Sequence, residues 1–283
     1  MTIVRACIDG KSNTEAVIDA ALWSAQGLNA PLSFLHVLER HPEHAEVADL
    51  SGAIGLGAQD SLLAELAEVD QRRAQLIQQA GRRLLSAAAE KAQAAGIASP
   101  DTLLRHGDLA ETAVELQTET RLYVLGEHHH GTPGKKVHLD HHVERVIRGV
   151  QRPVLVMTGE RFEPPLQAVV AFDGSATAKR AIERLSISPL LAGLALHLVS
   201  VGDDASQAAL AEAQRQLHNA GYQVLVERVP GEPEQVLPQL LATRPRTWLV
   251  MGAYGHSRIR QFIIGSTTTT LLRLSPAPVL VLR

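Results

Sequence analysis

Only one cysteine, Cys7, stands among the 283 residues, so neither an intrachain disulfide nor a multi-cysteine metal site can form. It sits in an apolar run of strand type and reads as a small buried hydrophobe rather than a nucleophile. Aromatic residues are scarce at 3%, which leaves the core to Leu, Val, Ile and Ala within a hydrophobic share of 45%. Charge of one sign is also missing: the formal net charge of -3 provides no basic field for nucleic acid. No apolar stretch runs to the uninterrupted length of a membrane span, and the start MTIVRACIDGK lacks a basic leader followed by an apolar core. The cytoplasm is the expected compartment. No G-x-S-x-G elbow, no G-x-x-x-x-G-K-[ST] loop and no S-G-G-x-D-S loop occurs, so no reaction has its residues in place.

What the chain does have is an internal repeat. IVRACIDGK (Ile3 to Lys11) resembles VVAFDGS (Val169 to Ser175), and PVLVM (Pro153 to Met157) resembles PVLVL (Pro278 to Leu282). Between these marks short apolar runs alternate with helical periodicity, the pattern of βαβ units on a parallel sheet. Strands are expected near 2 to 8, 32 to 38, 101 to 105, 121 to 126 and 153 to 157, then near 167 to 172, 194 to 201, 222 to 229, 246 to 251 and 278 to 282. The intervening helices fall near 12 to 26, 59 to 96, 109 to 118, 139 to 149, 176 to 186, 204 to 220, 233 to 243 and 266 to 274. Two domains, 1–157 and 166–283, follow, joined by the polar, proline-bearing linker 158–165. Asp9 and Asp173 are offset by 164 and Gly107 and Gly231 by 124, so the first half carries 164 − 124 = 40 extra residues after its second strand. They form the loop 41–59, with GAIGLG at its end, and a long helix over 59–96. Its positions Leu62, Leu66, Val69, Leu76, Ile77, Leu84 and Leu85 are spaced for one buried stripe. The apolar strands after Pro153 and Pro278 look like sheet edges, which need covering, and are expected to pair with each other.

Chemistry concentrates between Thr247 and Leu274. An apolar strand ends at Gly252, Gly255 follows after two residues and Gly265 after nine more, and Ser266 and Thr267 open a helix. Glycines let backbone N–H groups turn toward an anion, and a helix start adds unpaired donors and partial positive charge. The G-x2-G-x9-G-S loop therefore suits a phosphate chain. Read structurally, the same residues make a tight turn and a helix cap. Asp173, just after a strand, is placed to accept from ribose hydroxyls or to shape a turn, and Val201 to line an apolar slot or the core.

This loop resembles the ATP-binding signature of the universal stress protein family, and the resemblance extends over nearly the whole chain as a tandem of two family domains. It implies two doubly wound, Rossmann-like, adenine-nucleotide α-hydrolase-like five-stranded domains, and a stress-response module that binds ATP (or ADP or AMP) with magnesium. By position, Asp173 would hold ribose, and Ala171 and Val201 would line the adenine slot. Met251, Gly252, Gly255, Gly265, Ser266, Thr267 and Thr268 would surround the phosphates. Tyr254 departs from the basic or polar residue common there, while His256, Arg258 and Arg260 bring positive charge to the same loop. Catalysis beyond slow ATP hydrolysis is not expected. The partners implied are an adenine nucleotide, the two halves as an internal pseudo-dimer, and a protein that reads the bound state; a homodimer is also compatible.

The first half departs from the pattern. Gly126 remains, but four residues instead of two precede Gly131, and Asp140 and His141 stand where the second half has Gly265 and Ser266. A carboxylate at a helix start repels phosphate, so this half is expected to bind nucleotide weakly or not at all. Its loop holds His128, His129, His130, His138, His141 and His142, six of 13 histidines. His138 and His142, four apart on a helix, offer ligands to a first-row metal. The alternatives to nucleotide binding are thus a metal-binding sensor using residues 128–142, or a structural, interaction-only protein.

Overall fold

The computed structural model describes residues 2–39, 56–127, 141–202, 205–252 and 266–283, with 56–64, 141 and 266 in backbone only. The first half runs β1 (Ile3–Cys7), α1 (Thr14–Leu28), β2 (Leu32–Leu38), α2 (Leu56–Ala94), β3 (Asp101–His106), α3 (Leu109–Leu116), β4 (Thr120–Gly126), α4 (His141–Gly149) and β5 (Val154–Met157). The second runs β6 (Gln167–Ala171), α5 (Ala176–Ile187), β7 (Ala195–Val201), α6 (Gln207–Asn219), β8 (Gln223–Val229), α7 (Pro233–Ala242), β9 (Thr247–Gly252), α8 (Ser266–Leu274) and β10 (Val279–Leu282). All these strands and helices lie within a few residues of their expected places.

The strands form one ten-stranded sheet in the order β3-β2-β1-β4-β5-β10-β9-β6-β7-β8. Each half is parallel, with its strand order reversing between the first strand and the fourth. The halves join by antiparallel hydrogen bonding of β5 to β10, Val156 opposite Val279, Leu155 opposite Leu280 and Val154 opposite Val281. Each apolar edge covers the other, as their patterns require. Because that junction is antiparallel, the carboxyl ends of the two half-sheets open on opposite edges of the molecule.

Alternation along the strands feeds two layers. Val4, Ala6 and Ile8 point toward α1, α2, α5 and α6, whereas Cys7, Tyr123 and Leu125 point toward α3, α4, α7 and α8. Three of the few aromatics mark the junction of the halves. Trp23 on α1 meets Trp248 on β9 edge to face at 5.0 Å, and Phe162 lies 6.5 Å from Trp248 and 6.2 Å from Trp23. Such pairs add roughly 0.5–1.5 kcal/mol beyond the area they bury. Burial pushes the Cys7 thiol up to about 12 despite the nearby Arg5, so it stays protonated and inert.

Helix α2 corrects one expectation. Leu84 and Leu85 pack on the core, but Leu66, Val69, Leu76 and Ile77 are exposed at 41%, 63%, 60% and 45%; the side chain of Leu62 lies outside the described residues. The reason is length. At about 1.5 Å per residue the 39-residue helix runs roughly 58 Å, whereas the seven residues of β2 at about 3.3 Å span roughly 23 Å. Gly81 marks a close approach of the helix to β2, since a Cβ there would come 2.8 Å from His36 Cδ2. The helix starts at Leu56, so Gly57 of GAIGLG is helical.

Candidate functional site

In an open parallel sheet the cleft lies beyond the carboxyl strand ends, where strand order reverses. In the second half that place is the gap between β6 and β9. A cavity of about 220 Å³ opens there, bounded by Ala171 and Asp173 after β6, Val201 at the end of β7, Met251 and Gly252 at the end of β9, and Thr267 and Thr268 in the first turn of α8. Seven of the ten sequence-selected positions therefore share one cavity. Ser266 is the first residue of α8. Gly255 and Gly265 lie outside the described residues, as do Tyr254, His256, Arg258 and Arg260.

Each wall has a local cause. Asp173 Oδ1 accepts the Ser175 N–H at 2.9 Å, closing a short turn that aims the chain into α5. Ser175 caps that helix by accepting from the Ala178 N–H at 3.2 Å. The cap therefore belongs to Ser175, and Asp173 remains exposed at the cavity. Thr177 turns its hydroxyl back to Ser175 Oγ at 2.9 Å. Gly252 is sterically required: a Cβ there would stand 2.7 Å from the Thr177 carbonyl oxygen. Val199, Val201 and Leu237 give the opposite wall an apolar face. Sequence reasoning missed Ser175, Thr177 and the contribution of Pro233 and Leu237 from α7; the S-A-T run after Gly174 was the available signal for the first two.

The equivalent corner of the first half holds a larger cavity, about 390 Å³, walled by Asp9, Asn13, His36, Glu39, Gly126 and His142 among others. Asp9 repeats the turn, its Oδ1 accepting from the Lys11 N–H at 3.0 Å. Asn13, the counterpart of Thr177, does something different. Its buried amide reaches over the strand end and donates to the Glu127 carbonyl at 2.6 Å. A Cβ on Gly126 would meet Asn13 Oδ1 at 2.5 Å, so the glycine that would admit an anion instead accommodates a side chain.

Of the two histidines proposed as metal ligands, His138 lies outside the described residues. His142 Nδ1 is 3.0 Å from Glu39 Oε1, and ligand atoms of Glu39, Asp108 and His142 all fall within 4.8 Å of one another. Asp108 already accepts from two donors, one neutral and one charged: its Oδ1 caps α3 from the Glu111 N–H at 3.0 Å, and Oδ2 pairs with Arg145. Burial alone would raise the Asp108 carboxyl, but the Glu111 N–H and Arg145 outweigh it and hold it below its ordinary value. Arg145 is the charge an entering metal would have to face.

Two copies of one doubly wound unit, each with a cleft at its switch point, place the chain in the Rossmann-like α/β class. The family model described as Universal stress protein family matches residues 1–158 and 200–283, and the chain belongs to the universal stress protein family, which makes it a stress-response protein. It is 34% identical to Universal stress protein Slr1230 of Synechocystis sp. over 282 residues, 98% of each chain. In fold it is similar to a universal stress protein of Archaeoglobus fulgidus, with a TM-score of 0.73 and 21% identity over 99% of this chain and 98% of that one. A universal stress protein of Pseudomonas aeruginosa aligns with a TM-score of 0.61 and 18% identity, covering 100% of this chain and 93% of the other. Among the described residues no helix is long and apolar enough to cross a membrane.

Proposed function

We propose that the second half, residues 166–283, binds one adenine nucleotide, ATP with magnesium, and that the first half, residues 1–157, binds none. The observation that carries this reading is the single cavity at the β6/β9 switch point, bounded by Ala171, Asp173, Val201, Met251, Gly252, Thr267 and Thr268. Asp173 would accept from ribose hydroxyls, and Ala171 and Val201 would flank the base. Gly252, Gly255 and Gly265 with the N–H groups of Ser266, Thr267 and Thr268 would hold the phosphates at the start of α8. The fit is favourable because Thr267 and Thr268 line the cavity in the first turn of the helix, beside the strand end at Gly252. Among the described residues Asp173 is the one carboxylate of that cavity wall, so the phosphates themselves would supply most of the magnesium ligands.

No nucleophile or general base is arrayed against the phosphate position among the described residues, which favours a binding and signalling role over catalysis. Occupancy would change a surface that another protein reads. Mass spectrometry of the small molecule released from purified protein on denaturation tests the reading. An adenine nucleotide is expected; a preparation that releases none and takes up none on addition of ATP would overturn it. The cluster of Glu39, Asp108 and His142 supports a second, metal-sensing reading for the first half. Dialysis against zinc should then give less bound metal for a His138→Ala/His142→Ala variant, and equal content would remove that reading.

A further inference from the structure

N-terminal to Ile77, which still lines the first-half cavity with residues of β2, helix α2 continues as an arm. Every residue from 65 to 77 is exposed, and Leu66, Val69, Leu76 and Ile77 turn large apolar side chains to water. Their spacings of three, seven and eight place them on one stripe of the helix. A contiguous apolar stripe on a solvent-surrounded helix marks a surface that another element covers. Charge along the same arm is segregated. Glu65, Glu68 and Asp70 come first, and Arg72 and Arg73 follow, with Arg82 and Arg83 beyond them at the root. Among the described residues none of these seven forms an ion pair.

We propose that this arm, residues 56–79, docks against the same arm of a second copy of the chain, antiparallel about a two-fold axis. A two-fold interface requires a surface complementary to itself, and an acidic stretch followed by a basic one meets that condition only when the helices run in opposite directions. Parallel packing would set Glu65 against Glu65 and Arg72 against Arg72. With the axis at the midpoint of the arm, between Ala67 and Glu68, Leu66 of each copy lies beside Val69 of the other, and Glu65 of each faces Arg72 of the other. The overlap is roughly 36 Å at about 1.5 Å per residue. The apolar edges β5 and β10 are already used inside the chain, which leaves this stripe as the longest exposed apolar feature among the described residues.

Sedimentation velocity of the full chain over a concentration series reads the outcome. The unaltered protein should form a species of twice the chain mass, and Leu66→Glu/Val69→Glu should be monomeric with an unchanged circular dichroism spectrum. Glu65→Arg alone and Arg72→Glu alone each oppose like charges twice and should weaken the dimer about tenfold. An equimolar mixture of those two single variants should recover dimer, because each then meets its complement. A monomer at every concentration, a dimer indifferent to Leu66→Glu/Val69→Glu, or a mixture no tighter than its components would overturn the proposal. Circular dichroism separates loss of pairing from loss of fold.

Discussion

Asn13 and Thr177 occupy the same station in the two halves, four residues past Asp9 and Asp173, and their side chains behave oppositely. Thr177 folds its hydroxyl back on Ser175, and its backbone carbonyl, not its side chain, packs on Gly252 at the strand end. Asn13 crosses the strand end and ties α1 to the carbonyl of Glu127. The halves share strand order, turn chemistry at the aspartate and a glycine at the fourth strand end, so the difference between them is local. It teaches that the same turn aspartate can border cavities of different size and lining. The first half has the larger cavity, and Glu39 and His142 join Asp9 on its wall, whereas in the second half threonines and Gly252 join Asp173.

The largest expected effect concerns what the halves have in common. Trp248 is 1% exposed and joins Trp23 across the junction, so Trp248→Ala should cost about 3–5 kcal/mol of stability in urea unfolding. A loss under about 1 kcal/mol would mean that the halves do not depend on each other there.

Next comes the feature that separates them. Gly265→Asp imports into the second half the carboxylate that marks the first. ATP affinity measured calorimetrically should fall by about a hundredfold or more, near 2.7 kcal/mol, with the melting temperature of the free protein unchanged. Unaltered affinity would remove the phosphate assignment.

A smaller effect tests the amide bridge. Asn13→Ala leaves the Glu127 carbonyl without its donor and should cost about 1–3 kcal/mol, whereas Thr177→Ala removes only a hydroxyl pair and should cost about 1 kcal/mol or less. Equal losses by denaturant titration would mean that the two side chains contribute alike.

The smallest effect is pH dependence. Burial would raise Glu227, but its hydrogen bonds to His197 and Arg244 prevail and hold it below its ordinary value. A depressed carboxyl contributes stability that is present above its unfolded value and lost as pH falls through its folded one. Melting temperatures from about pH 7 to pH 3 should therefore fall less steeply for Glu227→Gln than for the unaltered protein. Parallel curves would contradict the pairing. Arg5, buried in the first half and held by Thr120 and Ser33, has no such carboxylate in hydrogen-bond contact, its Glu119 partner lying at 3.9 Å.

Most of the fold was legible because strand pattern and Asp-Gly turns are local. The 40-residue offset between Asp9/Asp173 and Gly107/Gly231 located the insertion, and the apolar edges at Pro153 and Pro278 foretold their pairing. The exposure of Leu66 to Ile77 was not legible, since periodicity reports which residues share a face but not whether anything covers it. Only the length of α2 against the short strands decides that. At the site, Ala171, Asp173, Val201, Met251 and Gly252 were readable as strand ends. Ser175 and Thr177 bond within three residues, so the S-A-T run held their signal; Asn13 was not legible, because its partner Glu127 lies 114 residues away.

The claim that only the second half accepts nucleotide is tested most directly by the stoichiometry of ATP binding to the full chain with magnesium present. One ATP per chain, with none bound by Gly265→Asp, is the predicted result. Two per chain, or one retained in Gly265→Asp, would contradict it.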